Sequence, residues 1–340
     1  MSGKKLHFGI IGAGRIGRVH AESLAFRMPE AEIVSVFDVK REAAEALASH
    51  CGIPNVASSV DEILGDKRIE AVAICASTDT HADLIIRAAK AGKHIFCEKP
   101  ISYTLKQIDA ALAAVEKAGV KLQIGFNRRF DTNYARVRKA VAGGEIGKPC
   151  LVHITSRDPL PPPIDFVRLS GGMFLDMMIH DFDMARFLTG DEVEEVYAAA
   201  GVMADPAIGE LGDVDTAVVT LRYRSGAIGT IDNSRKAVFG YDQRVEILGT
   251  EGKIASENRF PNQVVVSTGK SVYSDLPLNF FMDRYTDSFA EELRQFTHAV
   301  LEGKPVPVTG ADSRVPVIMA MAARKSYDEN RPVKLTEVKA

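Results

Sequence analysis

The chain carries no basic field: 42 lysines and arginines face 45 aspartates and glutamates, a formal charge of −3, which argues against nucleic acid as a partner. No apolar run approaches the roughly 20 residues that cross a bilayer, so no membrane association is expected. Met1-Ser2-Gly3-Lys4-Lys5-Leu6-His7 passes straight into an apolar strand instead of a signal peptide, and a cytoplasmic protein is expected. Cysteine is sparse. Cys51, Cys75, Cys97 and Cys150 are widely spaced with no Cys-x-x-Cys among them, so neither a zinc cluster nor a disulfide frame is indicated. Cys75 and Cys97 fall in apolar strands and read as small core residues.

What remains is an ordinary globular composition, 46% hydrophobic and 26% charged, in 340 residues. That length suits two domains of roughly 100 to 200 residues each. The first 125 residues alternate strand and helix. Leu6 to Ile11 is an apolar run, followed by a glycine loop and a helix from about Ile16 to Met28 that Pro29 helps to end. The pattern repeats with Ile33 to Phe37 and Arg41 to Cys51, Ala71 to Ala76 and His81 to Ala91, then Ile95 to Cys97 and Leu105 to Ala118, before a last strand, Leu122 to Phe126. Runs apolar on both faces and separated by helices indicate a parallel sheet covered on both sides. The expected architecture is α/β, a doubly wound Rossmann domain over residues 1–126.

After Asn127 the texture changes. A helix from about Asn133 to Ala142 leads to the strand Pro149 to Thr155, a proline-rich loop and a helix from about Met173 to Leu188. From Val193 to Tyr273 the chain is mostly strand, broken by tight turns such as Arg224-Ser225-Gly226 and Gly249-Thr250-Glu251-Gly252, the mark of an antiparallel meander. Two helices, about Phe281 to Glu302 and Ala311 to Asn330, close the chain. Residues 127–340 are therefore expected to form an α+β domain with a large, open, mainly antiparallel sheet. A broad apolar sheet face is seldom left in water, so a homo-oligomer packed sheet to sheet, with a tetramer favoured, is expected.

Gly12-Ala13-Gly14-Arg15-Ile16-Gly17 lies between the first strand and the first helix, where such a loop binds a dinucleotide. Gly12 permits the tight turn, Gly14 lets the backbone approach a pyrophosphate, and Gly17 lets the helix pack on the sheet. Asp38 ends the second strand, 21 residues after Gly17, where a carboxylate accepts hydrogen bonds from ribose hydroxyls and repels a 2′-phosphate. NAD is favoured; Lys40 and Arg41 leave NADP as the weaker alternative. Ser77, Thr78 and His81, after the third strand read here, would face the cofactor from the same edge, although N-capping of the next helix explains Ser77 and Thr78 equally well. Glu98-Lys99-Pro100 ends the fourth, which puts a lysine where ligands of such sheets bind.

Gly171-Gly172-Met173-Phe174-Leu175-Asp176-Met177-Met178-Ile179-His180-Asp181 places Asp176 and His180 four residues apart, on one face of one helical turn. A neutral imidazole can take a proton from an alcohol, and a carboxylate one turn away can orient it. A buried structural Asp–His pair is the competing reading. A metal pair is a third, with Asp183 as the best added ligand, but a metal centre is not expected.

The conjunction of Gly-x-Gly-x-x-Gly, Glu98-Lys99-Pro100, the Gly-Gly-x-x-x-Asp-x-x-x-His segment and the sheet domain resembles the Gfo/Idh/MocA oxidoreductase family over the whole chain. Within it, Gly125-Phe126-Asn127-Arg128-Arg129-Phe130-Asp131, Ser156-Arg157-Asp158-Pro159 and Gly240-Tyr241-Asp242 look most like the inositol 2-dehydrogenase group. The resemblance implies a catalytic set of Lys99, Asp176 and His180, with Arg129, Asp158 and Tyr241 facing a polyol; Asn127 adds to the polar groups such a substrate needs, and the strand-end position of Glu98 and Lys99 also puts them at the cofactor site. It implies oxidation of a secondary alcohol to a ketone with NAD, myo-inositol being the leading substrate. His180 would remove the hydroxyl proton, Lys99 would stabilise the developing alkoxide, and Asp176 would hold the imidazole. Another polyol, and a non-catalytic nucleotide-sensing regulator, are the alternatives.

Overall fold

The computed structural model describes residues 4–339; Met1, Ser2 and Gly3, read above as the approach to the first strand, and Ala340 lie outside the described residues. Two compact units emerge. One runs up to Phe130 and also takes in Thr286–Val317; the other comprises Asp131–Tyr285 and Ile318–Lys339.

The first unit alternates β1 (Leu6–Ile11), α1 (Arg15–Arg27), β2 (Ala31–Phe37), α2 (Arg41–Cys51), β3 (Asn55–Val56), α3 (Val60–Gly65), β4 (Ala71–Ile74), α4 (Thr78–Lys90), β5 (His94–Glu98), α5 (Leu105–Ala118) and β6 (Leu122–Gly125). Its six strands are all parallel, in the order β3-β2-β1-β4-β5-β6. The order reverses between β1 and β4, the switch point at which such sheets bind ligands at their carboxyl ends. Phe8, Ile10, Val36, Ala73 and Phe96 bury one sheet face beneath Ala21 and Leu24 of α1. β3 and α3 were not read from the sequence. Their signal was there, since Ser59 accepts from the backbone N–H of Glu62 at 3.2 Å while Glu62 Oε2 accepts from Ser58 N at 2.7 Å, a capping arrangement.

The second unit contains α6 (Thr132–Ala142), β7 (Pro149–Arg157), α7 (Ile164–Leu169), α8 (Met173–Asp176), α9 (Ile179–Thr189), β8 (Val193–Gly201), α10 (Pro206–Glu210), β9 (Thr216–Tyr223), β10 (Ile228–Ser234), β11 (Asp242–Gly249), β12 (Lys253–Ser256), β13 (Val265–Ser267) and β14 (Val272–Ser274). The chain ends with α11 (Phe281–Leu301), α12 (Gly310–Glu329) and β15 (Val333–Lys334). Seven strands form an open sheet, β12-β11-β7-β10-β9-β8-β15, antiparallel at every step but the parallel pair β7–β10. The fold class is therefore the expected one, with a mixed, mostly antiparallel second sheet. Strand β9 shows why one face is core: Ala217, Val219, Leu221 and Tyr223 are buried, while the alternate residues Val218, Thr220 and Arg222 are exposed. Among the described residues, no helix is long and apolar enough to cross a membrane.

Two expectations are corrected. The single helix over Met173 to Leu188 is broken after Asp176: Met177 N and Met178 N both donate to the Met173 carbonyl, at 3.1 and 3.0 Å, so the ladder slips by one residue and restarts at Ile179. The expected cut after residue 126, with all that follows in the second domain, also differs from the observed division. Helix α11 is kinked at Tyr285 (φ −116°, ψ 15°), and beyond the kink Leu293 and Phe296 join the core of the first unit, with Phe296 lying 6.1 Å from both Phe8 and Phe96, ring centre to ring centre.

Candidate active site

The candidate residues of the first unit stand at one edge, beyond the carboxyl ends of β1, β2, β4, β5 and β6. Backbone sterics shape the glycine loop. Gly12 has φ +105°, and a Cβ there would lie 2.6 Å from the Cys75 carbonyl. A Cβ on Gly17 would stand 2.0 Å from Gly12 O, so no side chain fits where α1 meets the turn. Gly14 is the opposite case: among the described residues no atom beyond its own chain neighbours lies within 4 Å of a Cβ built on it, and Gly14 and Arg15 are exposed. An open approach beside a helix N-terminus suits a pyrophosphate. Asp38 ties this loop to β2, its Oδ2 accepting from Ala13 N at 2.6 Å and its Oδ1 from Lys40 N at 2.7 Å. Each oxygen keeps a further lone pair for a ribose hydroxyl. The loop, the helix start and the carboxylate thus fit an adenine dinucleotide.

Ser77 occupies the N-cap position of α4, which begins at Thr78 and not near His81; among the described residues its hydroxyl makes no cap hydrogen bond. His81 is buried, with Nδ1 2.8 Å from Pro100 O and Nε2 3.0 Å from Ala76 O. Its ring bridges two strand-end loops instead of facing outward, a different placement from the cofactor contact read from the sequence. Glu98 likewise turns inward: its Oε1 is 2.6 Å from Nε2 of the buried His20, and its Oε2 accepts from Lys99 N at 3.3 Å. Lys99 is half-buried and leads into a cis bond to Pro100. Asn127 and Arg129 lie on a 3-10 turn just past β6, Asn127 buried and Arg129 3.5 Å from Asp312 Oδ1.

In the second unit the candidates gather where β7 and β10 end side by side. Asp158 N donates to Ser234 O at 2.9 Å and Asp158 O accepts from Ala237 N at 2.7 Å, clasping the loop that carries Arg235 and then Tyr241. Arg235, 1% exposed and missed by the sequence reading, donates from Nη2 to Asp176 Oδ2 at 3.3 Å. The strand before it ends in Asp232-Asn233-Ser234, so no apolar-to-charged step marked it in the sequence. Tyr241 is buried, its ring edge-on to Tyr285 at 6.1 Å. Gly171 and Gly172, with φ of +83° and +84°, aim the start of α8 at Asp213, whose two oxygens each accept from Met173 N at 3.1 Å. Asp176 closes α8 and His180 is the second residue of α9; Met177 and Met178 between them keep right-handed dihedrals. The two residues therefore do not share one regular helical turn. Asp183 is fully buried in α9.

A carboxylate beneath this region holds the backbone in place. Asp215 accepts from Met203 N, Ala204 N and Asp205 N, each at 2.8 Å, and from the Thr216 hydroxyl at 2.9 Å. Burial works against its charge, yet the three N–H groups and the hydroxyl outweigh it and keep the carboxyl below the usual range. Arg235 N donates to Asp215 O at 2.8 Å, which joins this anchor to the Asp176 partner.

Comparison with known proteins agrees with this organisation. Residues 6–126 match the family model described as "Oxidoreductase family, NAD-binding Rossmann fold", and residues 134–255 match the GFO/IDH/MocA C-terminal domain. The chain belongs to the Gfo/Idh/MocA oxidoreductase family. It is 47% identical over 333 residues, 98% of this chain and 99% of the other, to the myo-inositol 2-dehydrogenase of Thermotoga maritima. It is 46% identical over 331 residues, 97% and 99% of the two chains, to an inositol 2-dehydrogenase of Rhizobium meliloti. A crystal structure of scyllo-inositol dehydrogenase from Lactobacillus casei, with bound NAD(H) and scyllo-inositol, superposes with a TM-score of 0.92 at 28% identity, covering 98% of this chain and all of that one. As a family member, the chain is an NAD-binding oxidoreductase.

Proposed function

We propose that the protein oxidises a secondary alcohol of a cyclic polyol to the ketone with NAD+, and that the physiological reaction is myo-inositol to 2-keto-myo-inositol (scyllo-inosose). The observation that carries this reading is near full-length similarity, at 46 to 47% identity, to two enzymes named for that activity, in a chain that carries Asp38, Lys99, Asp176 and His180. When bound, NAD+ supplies the nicotinamide carbon that accepts a hydride. The chain's own groups do the rest. His180 takes the hydroxyl proton, Lys99 stabilises the negative charge developing on the oxygen, and Asp176, itself paired with Arg235, orients the imidazole or a neighbouring hydroxyl. Asn127, Arg129, Asp158 and Tyr241 supply the polar contacts that a ring of hydroxyls requires. Gly12, Gly14, Arg15, Ile16 and Gly17 hold the pyrophosphate, Asp38 the ribose, and Ser77 and Thr78 line the same edge.

A second substrate, scyllo-inositol, is favoured by the likeness to the Lactobacillus casei enzyme solved with it. A panel of polyols containing myo-inositol and scyllo-inositol, run with NAD+ and with NADP+ and followed by NADH or NADPH absorbance, decides between them. Fastest turnover of myo-inositol with NAD+ is expected; no turnover of any polyol would leave a nucleotide-sensing role instead. The same reading includes a cytosolic setting and a homo-oligomer, with a tetramer favoured. The exposed sheet face carries Leu151, Ile228 and Leu248 on adjacent strands in register, an apolar strip that a second copy would cover.

A further inference from the structure

The core of the first unit encloses a polar cluster. His20 of α1 is fully buried, its ring edge-on to Phe96 at 4.9 Å and Phe289 at 5.7 Å, and its Nε2 is 2.6 Å from Glu98 Oε1 at the end of β5. Glu292 of α11 is also fully buried, and among the described residues neither of its carboxylate oxygens has a hydrogen-bond partner. Ligating atoms of His20, Glu98 and Glu292 nevertheless lie within 4.8 Å of one another. The backbone there is fixed separately, by Gln123 Nε2 donating to Glu292 O at 2.8 Å.

An ionised carboxylate without a donor in such a place is strongly disfavoured, and a second carboxylate beside it adds repulsion. A proton or a cation relieves both. Two ligands of one ion at about 2.1 Å stand about 3 Å apart. His20 and Glu98, at 2.6 Å, are closer than that and sit at the separation of a charge-assisted hydrogen bond. A proton therefore fits the geometry better than a metal.

We propose that Glu292 is a neutral carboxylic acid, which spares Glu98 the repulsion of a second charge in the core, and that it thereby acts as a positioning residue for Lys99. The link to Lys99 runs through Glu98, whose Oε2 accepts from the Lys99 backbone N–H. This last step rests on the catalytic reading of Lys99 given above; the proton on Glu292 does not. Burial first, and the Glu98 charge second, hold the Glu292 carboxyl well above the usual range. The other titratable groups facing the pair are Cys75 past β4 and Cys97 on β5, thiols that burial also pushes up and keeps neutral. On α11 itself, Glu291 pairs with Arg294, and Arg294 and His298 pair with Glu30 on the outer side.

The sign of the pH effect follows. The unfolded chain releases the Glu292 proton in the ordinary carboxylate range while the folded chain keeps it, so stability is lost as pH rises from that range toward the raised pKa. Glu292→Gln keeps a neutral donor and removes this loss. Its apparent melting temperature, relative to wild type, should rise by about 3 °C or more between pH 5 and pH 9, and EDTA should change neither protein. In turnover, Glu292→Gln should stay within about threefold of the wild-type kcat, while Glu292→Leu falls about tenfold with KM for NAD+ nearly unchanged. A melting difference that is flat with pH overturns the neutral Glu292, and a wild-type melting temperature lowered by EDTA replaces its proton with a cation. Equal kcat in all three proteins overturns the positioning role. If wild type oxidises no polyol, the positioning role falls with the proposed function, and the melting comparison still decides the proton.

Discussion

The cofactor edge and the Asp176–His180 segment are held by different means. At the edge, backbone does the placing: parallel strands end in line, Gly12 and Gly17 admit no Cβ, and Asp38 is pinned by two main-chain N–H groups. Around α8 and α9, buried charges do it. Asp213 accepts from Met173 N, Arg235 reaches Asp176, and Asp215 gathers three N–H groups and a hydroxyl. A region built from backbone contact should fail on the addition of a methyl group and tolerate many changes of polarity. A region built from side-chain pairs should do the reverse.

Gly17→Val tests the first half most severely. With Gly12 O at 2.0 Å from the new Cβ, NADH binding measured by fluorescence should weaken at least about 100-fold or the protein should not fold; near-normal binding would break the contrast. His180→Ala and Lys99→Ala come next, each lowering kcat about 10³-fold while NADH binding persists, since proton transfer and charge stabilisation are each worth about that much. Wild-type turnover in either variant would remove that residue from the proposed chemistry. Arg235→Met keeps the bulk and deletes the charge beside Asp176. A kcat lower by about tenfold, with NADH affinity unchanged, is expected, and equal losses in both would mean that the second unit's charges serve stability alone. Asp213→Asn should be mildest, costing about 1 kcal/mol in denaturant unfolding through a weakened cap on α8.

The same contrast explains what could be read from the sequence. Strands buried on both faces and helices with clear stops, such as Arg41–Cys51 and Leu105–Ala118, were legible with their boundaries, because local pattern and tertiary burial coincide there. The break between α8 and α9 was not. Its cause is a one-residue slip onto the Met173 carbonyl, and the run Met173 to Leu188 contains neither a glycine nor a proline to announce it. Candidates at strand ends could be named from position alone. Arg235 and Asp213 could not, because each matters through a partner 40 or more residues away, and Asp215 and Glu292 carry no motif that sets them apart from other acidic residues. His81 and Glu98 show the limit of position: both occupy the expected edge, yet both turn their side chains into the protein.

Helix α11 has a bearing on how the chain is made. The first 130 residues leave the ribosome with their parallel sheet uncovered where Phe289, Leu293 and Phe296 will lie, and those side chains arrive only after the whole segment Asp131–Tyr285 has been synthesised. At roughly 5 to 20 residues per second the wait is on the order of ten to thirty seconds. During that interval Phe8 and Phe96 remain open to water or to a chaperone, and a polypeptide released at residue 130 would carry that bare surface permanently.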